Sequence, residues 1–289
     1  MQFKLWCRSL LAASAFAVAA IGQTETPSPT PTPKLRVPSM THRPSSNFLK
    51  DIASDQKAIW TSPFHIGKND WKWLGPFLGG TAALIATDKT TSSWVDTGGT
   101  LPGVSRKVSW NGGIYVTGGV ASGMWAVGKL THNDHLTETG RLATEALIDS
   151  TGVTEVAKFA FGRLRPDERD GEGRFFRGGR SFFSGHASAS WSVASVIACE
   201  YNDHPLAVWG AYGVATAVSL SRYTSRRHFL SDVFVGAGVG YGIGHYVCAK
   251  RKTVLNDDGS VTLKDPRWRV SPYINTLSGA RGGTFVLSF

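Results

Sequence analysis

Three short clusters between residues 158 and 232 hold the side chains best suited to chemistry. In the last, Ser221-Arg222 is followed by His228 and Asp232. A histidine and an aspartate four apart share one face if the stretch is helical. The carboxylate could then accept a hydrogen bond from one imidazole nitrogen and leave the other as a nucleophile. This is the orienting logic of a catalytic triad with histidine itself attacking. In the middle cluster, Phe183-Ser184-Gly185-His186 precedes a long uncharged run. Ser184 is suited to cap a helix start, and Gly185 lets the backbone come close to a ligand. Free N–H groups at such a start bind phosphate, and His186 would stand beside them. In the first, Lys158 and Arg165-Pro166 are separated by seven positions. If a helix runs through both, two cations share a face and can grip one dianion. Each cluster alone has a plainer reading: a solvated basic pair, a capping histidine, a helix-stabilising contact.

The rest of the chain fits an anionic partner. It has 289 residues and a formal net charge of +10, which suits nucleic acid, an acidic membrane face or a phosphorylated substrate. Nucleic acid is not expected, because no aromatic-basic array or binding motif accompanies the charge. At 42% hydrophobic and 18% charged, the chain can bury a large core, which excludes disorder for most of its length. With three cysteines and no zinc-type spacing, neither a disulfide scaffold nor a zinc module is expected. No cluster of carboxylates suggests a two-metal site.

The elements that must position the clusters are long uncharged segments, at 73–87, 108–128, 187–199, 205–221 and 233–249. A sixth, 141–162, is amphipathic. All exceed ordinary strand length, so six helices are expected. In the last, Gly236, Gly240 and Gly244 fall at i, i+4, i+8 and make one smooth face where another helix backbone can approach. The segments are diluted with Gly, Ser, Thr and Asn. A soluble or peripheral bundle is the first expectation and a polytopic membrane bundle the second. Trp60, Trp71 and Trp73 suit a membrane interface and core packing equally. Arg163, Arg169, Arg174, Arg177 and Arg180 read as a solvated loop offset by its acidic residues. Cys199 and Cys248 could pair or stay as buried thiols.

Four domains are expected: 1–22 a secretory signal, 23–47 a Thr/Pro-rich linker, 48–252 the helical domain and 253–289 a small β appendage. Lys4 and Arg8 precede an uncharged run that is too short to span a bilayer. Residues 256–260, Asn-Asp-Asp-Gly-Ser, sit between two apolar triplets in a hairpin pattern. The fold class is therefore mainly α, a bundle of about six core helices with a small C-terminal β-hairpin appendage.

Taken in order, Lys158-x6-Arg165-Pro166, Ser184-Gly185-His186 and Ser221-Arg222-x5-His228-x3-Asp232 resemble the type 2 phosphatidic acid phosphatase (PAP2) superfamily. That superfamily also includes bacterial non-specific acid phosphatases and vanadium haloperoxidases. One departure stands out: Phe183 occupies the place of the proline that usually precedes Ser-Gly-His. The resemblance implies a metal-independent phosphomonoester hydrolase, acting on a lipid phosphate such as phosphatidate or a polyprenyl phosphate, or on a small phosphate ester. It implies His228 as the nucleophile, forming a phosphohistidine, with Asp232 orienting it and His186 as general acid and base. Lys158, Arg165 and Arg222, with the Ser184 hydroxyl and the Gly185 N–H, would hold the phosphoryl oxygens. No cofactor is expected. Under the alternative of a haloperoxidase, vanadate would take the phosphate's place. A second alternative is a non-enzymatic binder of anionic lipid. The chain is expected to be exported, periplasmic or membrane-associated.

Overall fold

The computed structural model describes residues 40–42, 47–95, 105, 113–168, 171–255, 261–263, 268–274 and 281–287. The chain divides into Met1–Val37, which lies outside the described residues with the whole signal-like segment, and Pro38–Phe289. Seven α-helices occur among the described residues: α1 (Phe48–Thr61), α2 (Trp71–Ser93), α3 (Ile114–Leu130), α4 (Asp134–Phe161), α5 (Gly185–Glu200), α6 (Pro205–Thr224) and α7 (Leu230–Arg251). The protein is thus mainly helical. All six expected segments are helical over most of their length, although residues 108–112 lie outside the described residues. The seventh, α1, was masked in the sequence by its charges. Asn47 caps it by accepting from the Lys50 N–H at 3.3 Å, and its Asp55 is buried in an ion pair with Lys250 of α7. Backbone pairing also runs antiparallel from β1 (Met40–His42) to β2 (Lys252–Leu255) and on to β3 (Val261–Leu263). β4 (Trp268–Ile274) pairs with β5 (Arg281–Leu287). The first of these strands falls within the stretch read as a linker.

Local chemistry sets the helix ends that matter for the site. Asn133 caps α4 by accepting from the Leu136 N–H at 2.9 Å. Gly162 stops the same helix with a left-handed φ of 48°, its N–H returning to the Lys158 carbonyl. The helix therefore does not continue to Arg165, and the expectation that Lys158 and Arg165 share a helical face is corrected. Arg165 stands in the following loop. Pro205 opens α6, where its missing N–H would have had no partner.

The core lies where α4, α5 and α7 meet, filled by Leu142, Ala146, Val153, Val193, Val196, Ile243 and Val247, with Phe182 and Phe183 at one end. α5 and α7 run parallel and in close register. A Cβ built on Gly236 would lie 2.6 Å from the Ser184 carbonyl oxygen, on Gly240 2.2 Å from that of Ser188, and on Gly244 2.2 Å from that of Ser192. The glycine face expected from the sequence is thus the seam between these two helices. Further along, a disulfide joins Cys199 to Cys248.

The seam separates two substitutions in one helix. Gly240→Ala is expected to lose about 2 kcal/mol by overpacking against backbone, although alanine favours a helix by roughly 1 kcal/mol. Gly242, which has nothing within 4 Å of its would-be Cβ, should gain up to about 1 kcal/mol as alanine. Denaturant unfolding of the two variants checks the difference in sign.

Candidate active site

Arg222 lies in the last turn of α6, and its carbonyl accepts from the N–H groups of both Arg227 and His228, at 3.1 and 3.3 Å. That wrap carries the buried His228 side chain inward. Its Nδ1 lies 2.8 Å from the Ser181 carbonyl oxygen. A carbonyl only accepts, so Nδ1 carries the proton and Nε2 keeps its lone pair. Asp232 Oδ2 stands 3.8 Å from Nδ1, beyond a hydrogen bond. The spacing-based expectation of a direct bond from the imidazole to Asp232 is therefore corrected. The reason is that α7 begins at Leu230, so His228 precedes the helix on which Asp232 sits. The two are linked through Ser181, whose hydroxyl donates to Asp232 Oδ2 at 2.5 Å.

Asp232 does several jobs at once. It reaches back to the Phe229 N–H at 2.9 Å, as the third residue of a helix does in a capping box. Its other oxygen, Oδ1, accepts from Arg163 at 2.7 Å. Burial alone would raise this carboxyl, but His228, Arg163 and Ser181 together hold it below the ordinary carboxylate range. His228 is pushed below the ordinary imidazole value, first by burial and further by Arg222 and Arg165, against the pull of Asp232.

Because α5 and α7 are parallel, both present their positive N-terminal ends to the same region. The end of α7 is already occupied: Asp88 of α2 accepts from the Ser231 N–H at 3.1 Å, and Asp232 from that of Phe229. Among the described residues no side chain caps the start of α5. Ser184 takes the cap position, but its side chain makes no capping bond, which corrects the expected cap. Its own N–H instead donates to the Asp232 carbonyl at 3.0 Å. The Ser184 hydroxyl and Arg165 Nε are buried without a hydrogen-bond partner among the described residues. Such groups are costly to leave unmade and point to a missing acceptor.

His186 follows in the first turn of α5. Its imidazole is drawn down to about 3, first by burial and then by Arg222, His228, Lys158 and Arg165. All four therefore stand close enough to act on it. Lys158 is fixed beside the turn: a Cβ on Gly185 would lie 3.1 Å from Lys158 Nζ, which also pairs with Glu155 at 2.7 Å. Arg222 is lowered to about 10 by burial and by its neighbours Arg165 and Arg227, so it stays cationic at neutral pH. His186 thus stands among Lys158, Arg165, Arg222 and His228, with Asp232 behind His228. Arg165, Ser184 and His228 each depart from their expected local structure.

Sequence reasoning missed four contributors. Arg163, grouped with a solvated loop, is buried between Asp88 and Asp232. Asp88 carried a faint signal as a charge at the end of a long uncharged run. Ser181 had none. Gly113, the residue before α3, packs its backbone against His186, where a Cβ would come within 2.2 Å of Nε2.

Comparison with known proteins places this site in context. Residues 141–254 match the family described as the PAP2 superfamily. The chain is similar to "Lipid A 1-phosphatase" of Porphyromonas gingivalis, 34% identical over 94 residues, which is 32% of this chain and 19% of that protein. The chain thus spans about a fifth of that relative's length. Among solved structures, it is similar to a transmembrane PAP2 type phosphatidylglycerolphosphate phosphatase from Bacillus subtilis. That match is 19% identical, with a TM-score of 0.41, covering 69% of this chain and 92% of the other. The stretch that matches the PAP2 superfamily contains Lys158, Arg165, Ser184, Gly185, His186, Arg222, His228 and Asp232.

Proposed function

We propose that this chain is a metal-independent phosphomonoester hydrolase acting on a phosphorylated lipid such as phosphatidate or a polyprenyl phosphate. The observation that carries the reading is the convergence on His186 of a second imidazole and three cations from separate stretches of chain. Phosphoryl transfer asks for little covalent chemistry beyond a nucleophile. It needs charge placed around three equatorial oxygens. Lys158, Arg165 and Arg222 supply the charge, with the Ser184 hydroxyl and the Gly185 N–H as further donors.

In this mechanism His228 Nε2 attacks phosphorus as the ester P–O bond breaks, and His186 gives its proton to the departing oxygen. Water then attacks the phosphohistidine, His186 takes the water's proton, and phosphate leaves with His228 restored. The Ser181 carbonyl and Asp232 hold the ring and offset the positive charge it gains. The lipid assignment draws on the printed name of the Porphyromonas gingivalis relative. It also draws on Phe64, Trp71 and Trp73, which are exposed rather than packed in the core. Among the described residues no helix is long and apolar enough to cross a membrane. We place the chain outside the cytoplasm, periplasmic or membrane-associated, on the strength of the signal-like segment 1–22.

Phosphate release from phosphatidate vesicles and from para-nitrophenyl phosphate should persist in EDTA. His228→Ala should lower it by about a thousandfold or more, since the nucleophile is gone. His186→Ala should cost far more on the alkyl ester than on para-nitrophenyl phosphate, whose leaving group hardly needs a proton. Full activity of His228→Ala would refute the assigned nucleophile.

The pH dependence follows from the shifts. His228 attacks only when neutral, and it is held below the ordinary imidazole value, so the acid limb should lie below pH 6.5. His186 donates only when protonated, so the rate falls as pH rises through its pKa. Burial and these cations draw that value down to about 3, and a bound dianion would offset Arg222, Lys158 and Arg165 and lift it. The basic limb of kcat should therefore lie at higher pH than that of kcat/KM, which reports the free protein. Coincident limbs would contradict this.

A further inference from the structure

We propose that Arg163, braced by Asp88, is a positioning residue: it clamps one oxygen of Asp232 so that the other stays on Ser181 and faces His228. The inference rests on the hydrolase reading and extends it to two side chains that the three motifs do not name.

The geometry is specific. Arg163 NH1 donates at 2.7 Å to both Asp232 Oδ1 and Ser231 Oγ. NH2 donates to Asp88 Oδ2 at 2.7 Å, and Nε to the Gly173 carbonyl at 3.0 Å. The guanidinium carbon lies over the rings of Phe229 and Phe175, at 4.2 and 4.6 Å. Gly173 takes a left-handed φ of 62°, and a Cβ there would meet both the Phe229 ring and Arg163 NH2. The plane of the guanidinium is thus fixed from its edge and from its faces. Only arginine offers such a planar fork; lysine carries the charge without it.

This clamp divides the work of Asp232 between its two oxygens. Oδ1 faces Arg163. Oδ2 faces Ser181 and the Phe229 N–H, and points toward His228. If Oδ1 were released, the carboxylate could turn and the Ser181 hydroxyl would lose its acceptor. The Ser181 carbonyl that holds His228 Nδ1 belongs to the same residue, so both contacts would shift together. A buried ion cluster is weak evidence for stability alone, because apolar replacements are often as stable. An apolar residue at 163 would leave two buried carboxylates uncompensated.

Charge matters as well as geometry. Asp88, Arg163 and Asp232 sum to one negative charge on one side of His228. Arg222 and Arg165 act on His228 in the opposite sense. Geometry and charge can be separated by two variants. Arg163→Lys keeps the charge and loses the fork. Asp88→Asn keeps the shape and removes a negative charge.

The experiment measures kcat and KM with para-nitrophenyl phosphate across pH, together with ring-nitrogen NMR titration of His228 in histidine-labelled protein. His228→Asn is used to assign the signal. Arg163→Lys is expected to lower kcat about thirtyfold, with KM within about threefold, because the nucleophile and not the phosphate cradle is disturbed. Asp88→Asn is expected to move both the acid limb and the His228 titration to lower pH by roughly half a unit or more, since a negative charge favouring the imidazolium is lost. If Arg163→Lys does not fold, Asp88→Asn carries the test. If folded Asp88→Asn titrates as the wild type does and folded Arg163→Lys keeps its kcat, the residues are only structural and the inference fails. If the wild type releases no phosphate, the hydrolase reading fails, while the NMR titration alone still decides whether Asp88 and Arg163 govern His228.

Discussion

The architecture depends on two helix backbones that touch without side chains between them. Gly236, Gly240 and Gly244 let α7 lie against the carbonyls of Ser184, Ser188 and Ser192 on α5. Any Cβ on that face would force the helices apart. Because the contact is parallel and in register, the start of α5 and the start of α7 are brought to the same end of the bundle. Ser184 and Asp232 then meet through a main-chain hydrogen bond. The site is thus set by backbone packing before any catalytic side chain is placed.

That arrangement creates an electrostatic problem and resolves it asymmetrically. Two helix starts and several cations converge in a buried region, which is unfavourable without anions. At α7 the protein supplies the anions itself, as Asp88 and Asp232, and threads Arg163 between them. At α5, among the described residues, no side chain caps the helix, and the Ser184 hydroxyl and Arg165 Nε have no acceptor. The same asymmetry separates the two histidines. His228 is held through Ser181 next to carboxylates, while His186 stands among cations.

Much of this was legible in the residues. Long uncharged segments marked six helices, and the i, i+4, i+8 glycines marked the seam. The three clusters named the histidines and cations that the fold brings near one another. The rest was hidden for physical reasons. Spacing rules assume that a helix continues, yet Gly162 stops α4 before Arg165 and α7 starts after His228. A one-dimensional pattern also cannot tell a solvated arginine from a buried one. Arg163 lies among Arg169, Arg174, Arg177 and Arg180, and only its two carboxylate partners, distant in sequence, distinguish it. Ser181 acts through its main-chain carbonyl as well as its hydroxyl, and the former leaves no trace in residue type. The charges of α1 hid a helix whose buried aspartate is answered by a lysine nearly two hundred positions later.

The disulfide between Cys199 and Cys248 fastens α5 to α7 near their C-terminal ends, opposite the histidines. It encloses α6 within a loop whose ends are 49 positions apart, which in the chain-entropy picture restricts the unfolded ensemble by about 4 kcal/mol. Robustness and chemistry are thereby lodged at opposite poles of the same helix pair. Thiol-oxidising surroundings would toughen the molecule without altering the place where its imidazoles meet.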